Sequence, residues 1–258
     1  MSTTRRSLLG TLAAAAALAP RSGVVASSVP SSRCKAIAFD GFAIIDANPV
    51  TALVKELFPG SGDQLASLWR SRQFEYTWLR TLSNRYVDFW TVTREALMFA
   101  ADSLGIELTA DARERLMQKH LGLTAWPDAL PALRALKGAG IRMRFLANLT
   151  APMLDAVLRN AALATFFEDH LTTDIVRAFK PHPRAYQMAV SAFGCERDEI
   201  VFVASAAWDA AGAKWFGYPT FWVNRPAARP ETLDATADAE GRGMNDLVRF
   251  VLGDRAEG

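Results

Sequence analysis

The chain has 258 residues, 50% of them hydrophobic and 22% charged, enough to bury a core and unlike a disordered or fibrous polymer. Its formal net charge is +2, from 29 Lys and Arg against 27 Asp and Glu; Arg5, Arg6 and Arg21 fall in an acid-free stretch, residues 1–26, and the remainder carries −1. That balance offers no electrostatic handle for nucleic acid or a membrane surface, and Cys34 and Cys195, in no CxxC spacing, build neither a disulfide framework nor a zinc ribbon.

Residues 1–26 place Arg5 and Arg6 ahead of an apolar run reaching Ala19, then small residues ending in Val24-Val25-Ala26. This order is that of an export signal, too short to span a bilayer stably, and the paired arginines resemble twin-arginine signals that carry folded proteins. Cleavage after Ala26 is expected, giving a periplasmic or secreted protein with no stable membrane insertion once the signal is removed.

Downstream, short apolar runs at 35–39, 141–147, 200–204 and 219–223 are each bounded by turn residues. Segments of helical period separate the later ones at 128–139, 153–161, 184–193 and 206–216. The alternation predicts an α/β fold with a Rossmann-like parallel sheet. More than a hundred residues separate the first strand from the second, so an insertion is expected at 48–125. It is rich in Leu, Trp, Phe and Arg, shows no convincing strand, and reads as an all-helical cap. The core domain is then 35–47 plus 126–258, with a surface loop over 224–243 and a closing helix near 245–252.

Ligands of an open parallel sheet sit beyond the carboxyl ends of its strands. Asp40, Asn148 and Asp209 follow three of the strands, and Lys180 lies in Phe179-Lys180-Pro181 after a strand or turn. Two carboxylates, an amide and an ammonium are therefore expected at one sheet edge. A carboxylate beside a cation stays ionised and can act as a nucleophile.

These residues carry a resemblance. Ala36-Ile37-Ala38-Phe39-Asp40-Gly41-Phe42, Asn148 after its strand, Lys180-Pro181 and Phe202-Val203-Ala204-Ser205-Ala206-Ala207-Trp208-Asp209 resemble the four motifs of the haloacid dehalogenase superfamily. The segment 68–79 with Asn84-Arg85-Tyr86 looks specifically like the L-2-haloacid dehalogenases. The resemblance implies that Asp40 displaces halide from a small 2-haloacid to form an ester, with neither metal nor organic cofactor. It also implies that Arg70 receives the halide, a role suited to a group that keeps its charge. Lys180 matches the lysine beside the nucleophile, and Asp209 the acid that positions it or the hydrolytic water. Phe42, Phe74, Phe89, Tyr186 and Trp208 match the apolar pocket. Backbone N–H groups at Gly41 and Asn148 match holders of the substrate carboxylate, and a homodimer through residues 64–100 is implied.

The chain departs from the family pattern where Ile44 replaces a threonine, Ala43 a glycine, Ala147 and Ala204 serines, and Ala206 an asparagine. Losing one preorganised donor costs roughly 3 kcal/mol, so a slow enzyme, a shifted substrate or an enzyme stalled at its adduct is expected. The alternatives are a catalytically impaired binding protein on the same fold and, more remotely, a phosphatase, whose chemistry needs a second aspartate where Phe42 stands. His120, His170 and His182 are scattered without ligand spacing, and no G-x-G-x-x-G, G-K-S/T or G-x-S-x-G motif occurs.

Overall fold

A computed structural model describes residues 33–253; the export signal expected at 1–26 lies outside them. The core begins with β1 (Ala36–Phe39), which runs into Asp40, a one-turn helix α1 (Gly41–Ile44) and a two-residue strand β2 (Ile45–Asp46). The cap follows as α2 (Asn48–Leu57), α3 (Gly62–Leu82), α4 (Phe89–Ser103) and α5 (Ala110–Lys119), and the chain re-enters the core through β3 (Thr124–Ala125). Next come α6 (Ala129–Gly138), β4 (Arg142–Ala147), α7 (Ala151–Asn160), β5 (Leu171–Thr172), α8 (Pro183–Phe193) and β6 (Ile200–Ala204). Then α9 (Ala207–Phe216), β7 (Thr220–Val223), β8 (Ala239–Gly241) and α10 (Met244–Leu252) complete the described fold.

The six strands of the main sheet are all parallel, in the order β5-β4-β1-β6-β7-β8. β1 lies between β4 and β6 and is buried on both faces, which is why it reads as an unbroken apolar run. Ile37 and Phe39 face the layer that also holds α6, α7 and α10, whereas Ala36 and Ala38 face Tyr186, Phe202 and Tyr218. The small side chains of β1 leave room for those large rings. Because β1 is central, its carboxyl end, Asp40, points into the middle of the sheet edge.

Two segments differ from the sequence expectation. The 224–243 tail, read as a loop, contributes β8 as the sixth strand, with Trp222 opposite Glu240. The insertion, read as strandless, ends in β3, which pairs antiparallel with β2 through Ile45 opposite Ala125 and Asp46 opposite Thr124. Strands of two or three residues are too short to show a period of two. The β2–β3 pair clamps together the two chain segments that join cap and core.

Within the cap, α3 and α4 are tied by buried polar contacts. Trp69 Nε1 donates to the Thr93 carbonyl at 2.8 Å, and Gln73 Nε2 donates to Thr93 Oγ1 at 2.7 Å. Asp88 caps α4 by accepting from the Thr91 N–H at 2.7 Å, which satisfies one of the orphan donors at a helix start. Among the described residues, no helix is long and apolar enough to cross a membrane.

Candidate active site

Asp40 is the N-cap of α1: its carboxylate accepts from the Phe42 N–H at 3.2 Å, satisfying a donor of that one-turn helix. The turn fits closely under the β4 loop, since a Cβ added to Gly41 would lie 2.4 Å from Leu149 Cδ1. Asp40 Oδ1 accepts from Lys180 Nζ at 2.8 Å, and Asp40 Oδ2 accepts from Ser205 Oγ at 2.5 Å. Three donors from three segments thus hold one carboxylate that is 8% exposed.

Lys180 is 1% exposed and gives a second bond to Asp209 Oδ2 at 2.6 Å. Burial disfavours its charge, but the two carboxylates outweigh that and raise its pKa. The loop carrying it is fixed by Asn148, whose Oδ1 accepts from the Lys180 backbone N–H at 3.0 Å. Asp209, in the first turn of α9 and also 1% exposed, is pushed up to about 6. Burial is the main cause and the Asp40 charge adds to it; Lys180 and the Tyr186 hydroxyl pull the other way. Asp40, Lys180 and Asp209 form a continuous buried chain with one net negative charge when all three are ionised.

Tyr186, expected on the apolar wall, is fully buried behind Asp209 and donates to its Oδ1 at 2.7 Å. This is a correction: its hydroxyl orients the acid, and its ring packs on Phe202 and Phe216 in the sheet–helix layer. Gly212 makes room for it, because a Cβ there would meet the hydroxyl at 2.5 Å. Gly41, expected to offer its backbone N–H to a substrate carboxylate, is buried in the one-turn helix that follows Asp40. Phe42, Phe74, Phe89, Asn148 and Trp208 do line the cavity, together with Asp40, Ser205, Ala206 and Asp209. The room left between these side chains is only about 10 Å³, about that of one water molecule.

From the cap, Arg70 reaches across this cavity's rim. Its guanidinium lies 5.4 Å from the Phe42 ring centroid and 5.0 Å from that of Phe74. Arg70 is exposed, yet neighbouring protein partly desolvates its guanidinium and lowers its pKa, against the pull of the Asp40 charge. Among the described residues it has no carboxylate partner within ion-pair distance, so a cation held between two ring faces is left facing the cleft.

Ser205 is the site residue that sequence reasoning missed, although it sits inside the last motif. Its only local signal was a hydroxyl one residue past the end of β6. Ile44, Ala147 and Ala204 are fully buried, so no hydroxyl or amide arises at those positions to supplement it.

The sequence profile of the haloacid dehalogenase-like hydrolases matches residues 15–217. An (S)-2-haloacid dehalogenase of Pseudomonas sp. (strain YL) is 40% identical over 217 residues, 84% of this chain and 94% of that protein. A crystal structure of an L-2-haloacid dehalogenase superposes with a TM-score of 0.83 at 39% identity, covering 84% of this chain and 98% of that one. The L-2-haloacid dehalogenase of Xanthobacter autotrophicus with chloropropionic acid covalently bound has a TM-score of 0.78 at 32% identity, covering 86% of this chain and 99% of that one.

Proposed function

Because the chain belongs to the L-2-haloacid dehalogenases of the haloacid dehalogenase-like hydrolases, we propose that it hydrolyses short (S)-2-haloalkanoic acids through an ester on Asp40. The observation that carries this reading is the buried Asp40–Lys180–Asp209 chain facing the Arg70 guanidinium across a small aromatic cavity.

In the first step an Asp40 carboxylate oxygen attacks the α-carbon, the carbon–halogen bond breaks, and the halide leaves with its electron pair. Lys180 holds a positive charge against Asp40 inside the protein, and the Arg70 guanidinium at the cavity rim receives the new anion. In the second step water attacks the Asp40 ester carbonyl and loses a proton to the Asp209 carboxylate. The 2-hydroxyacid leaves and Asp40 is regenerated; the sum is haloacid plus water to hydroxyacid, halide and a proton. With Ala147, Ala204 and Ala206 contributing no side-chain donors, the second step is the slow one.

The test mixes protein starting at Ser27 with (S)-2-chloropropionate and follows chloride release and intact mass, with Asp40→Asn as control. Sustained chloride that the control lacks supports the enzyme. One equivalent of chloride with a mass gain on Asp40 means that alkylation survives without hydrolysis. No chloride and no adduct across several 2-haloacids overturns the reading in favour of a binding protein.

Two further properties belong to this proposal. Leu79, Leu82, Met98 and Phe99 form an exposed apolar face on α3 and α4, with Leu82 81% exposed, and this face suits a homodimer; sedimentation of Leu82→Glu at half the wild-type mass is the check. Export rests on the order of charge, apolar run and small residues at 1–26, and cell fractionation with and without Arg5→Lys and Arg6→Lys tests it.

A further inference from the structure

Lys180 lies on an irregular segment, 173–182, between β5 and α8, so neither a ladder nor a helix fixes its backbone. Two consecutive N–H groups fix it instead, and they donate to opposite domains. The Lys180 N–H goes to Asn148 Oδ1 of the core at 3.0 Å, and the Phe179 N–H goes to Thr81 Oγ1 of the cap, also at 3.0 Å.

Thr81 stands in the last turn of α3. Its hydroxyl gives its own hydrogen to the Thr77 carbonyl at 2.8 Å, which leaves a lone pair for the incoming N–H. Phe179 is buried, and a buried donor that loses its acceptor is costly. Tyr86, in the turn before α4, holds the same segment at three further points. Its ring stacks on that of Phe179 with centroids 4.5 Å apart, its hydroxyl donates to Asp174 Oδ1 at 2.7 Å, and its carbonyl accepts from the Arg177 guanidinium at 3.3 Å. Arg177 has a left-handed backbone, φ 51°, which is uncommon outside glycine and persists where neighbours fix it.

The cap thus grips the segment of the lysine from one side while the core grips it from the other. The same helix α3 carries Arg70, about three turns before Thr81, so one element joins the cation at the cavity rim to the acceptor that sets the backbone before Lys180. Lys180 Nζ bridges Asp209 and Asp40 at 2.6 and 2.8 Å, and such contacts weaken with distance and misalignment. A Phe179 peptide that turns to find another acceptor displaces the very next residue.

We propose that Thr81, supported by Tyr86, is a positioning residue: the docked cap sets where the Lys180 ammonium sits between Asp40 and Asp209. The inference rests on the dehalogenase reading for what Lys180 does, and not for how it is held. Thr81 and Tyr86 stand outside the lining of the catalytic cavity, so each acts through Lys180.

The experiment compares Thr81→Val, which keeps the branched shape and removes the acceptor, with Thr81→Ser, which keeps the acceptor. Two readings are taken: kcat against pH with (S)-2-chloropropionate, and the titration of the Asp209 carboxyl by carbon-13 NMR, assigned with Asp209→Asn. Of the groups facing Asp209, Lys180 and Tyr186 favour its charged form and Asp40 opposes it, so an ammonium drawn away raises the pH at which Asp209 ionises. Expected in Thr81→Val is a kcat about tenfold lower, since a misplacement of about 1 Å can cost about a hundredfold. The acid limb of kcat and the Asp209 titration should both move about half a pH unit higher, and Thr81→Ser should restore all three to wild-type values. A Thr81→Val protein with a lower Tm but both pH readings unmoved has lost only stability and overturns the proposal, as does a Thr81→Ser protein that behaves like Thr81→Val. Should Thr81→Val not fold, Tyr86→Phe decides, because it keeps the stacked ring and removes the bond to Asp174: an upward move of the Asp209 titration supports the proposal, and an unmoved one overturns it. In a wild type that releases no chloride, an upward NMR titration in Thr81→Val keeps the positioning role and discards the dehalogenase; an unmoved one discards the positioning role.

Discussion

Lys180 Nζ lies 2.8 Å from Asp40 Oδ1, joining residues 140 positions apart in the chain with the whole cap between them. This one contact sets a fixed positive charge against the nucleophile inside the protein, where a buried carboxylate without a partner is costly. The second bond of Lys180, to Asp209, makes the pair of acids interdependent.

Lys180→Met should therefore leave two buried carboxylates with no cation between them. Breaking a buried pair in this way costs about 3–5 kcal/mol of stability, read as a fall in Tm. Chloride release should drop at least about a hundredfold, because the nucleophile loses the fixed cation that holds its Oδ1. A variant with wild-type rate would show that the Lys180 charge beside Asp40 is dispensable.

The pH dependence follows from Asp209. Its folded pKa is raised from 3.8 to about 6, so the folded state binds this proton more tightly than the unfolded chain. Its contribution to stability is fully present below pH 4, is lost as pH rises through about 6, and is absent above. The stabilisation from Lys180, whose pKa is also raised, persists through neutrality and is lost only as pH rises past the folded pKa of the ammonium. Ester hydrolysis needs Asp209 ionised, so kcat should fall on the acid side with an apparent pKa near 6 that belongs to the linked group. Tyr186→Phe removes a bond that favours the charged form and should move that limb to higher pH; a pH–kcat profile in both proteins checks it.

Arg70→Lys keeps the charge and loses the planar cation that rests between Phe42 and Phe74. Lysine presents a compact, strongly hydrated ammonium in its place. A loss of about 10²–10³ in kcat/KM is expected, the scale for removing a fixed stabiliser of developing charge. Recovery of more than a third of wild-type activity in stopped-flow chloride release would contradict the role given to the guanidinium.

Ala206→Asn should accelerate the second step. Ala206 lines the catalytic cavity, and an amide there gives the attacking water a further donor beside Ser205 Oγ and Lys180 Nζ, which already hold Asp40. Rapid quench and intact mass should show the Asp40 ester accumulating in wild type and decaying up to about a hundredfold faster in the variant. Equal decay in both would place the slow step elsewhere.

Much of this was legible in order along the chain. Unbroken apolar runs gave away β1 and β6 because strands buried on both faces have no polar positions to interrupt them. β7 carries one buried Thr220, and β4 was legible from its apolar second half despite Arg142 and Arg144. Asp40, Asn148 and Asp209 could be placed at one sheet edge because parallel strands all end on the same side, and the long gap after β1 marked the cap. These are properties of neighbouring residues, and sequence holds them directly.

What only the tertiary structure decided depends on contacts between distant segments. Tyr186 and Trp208 look alike as aromatic residues near motif positions, yet one is sealed behind Asp209 and the other lines the cavity, since helix rotation and the gap left by Gly212 determine which way each ring turns. The Ser205 bond to Asp40 depends on the register of β6 against β1. The pairing of β2 with β3, and the stacking of Arg225 on Trp126 above Asp128, bring together pieces that carry no mutual signal in one chain read alone. Local pattern reports whether a residue is buried; packing alone selects its partner.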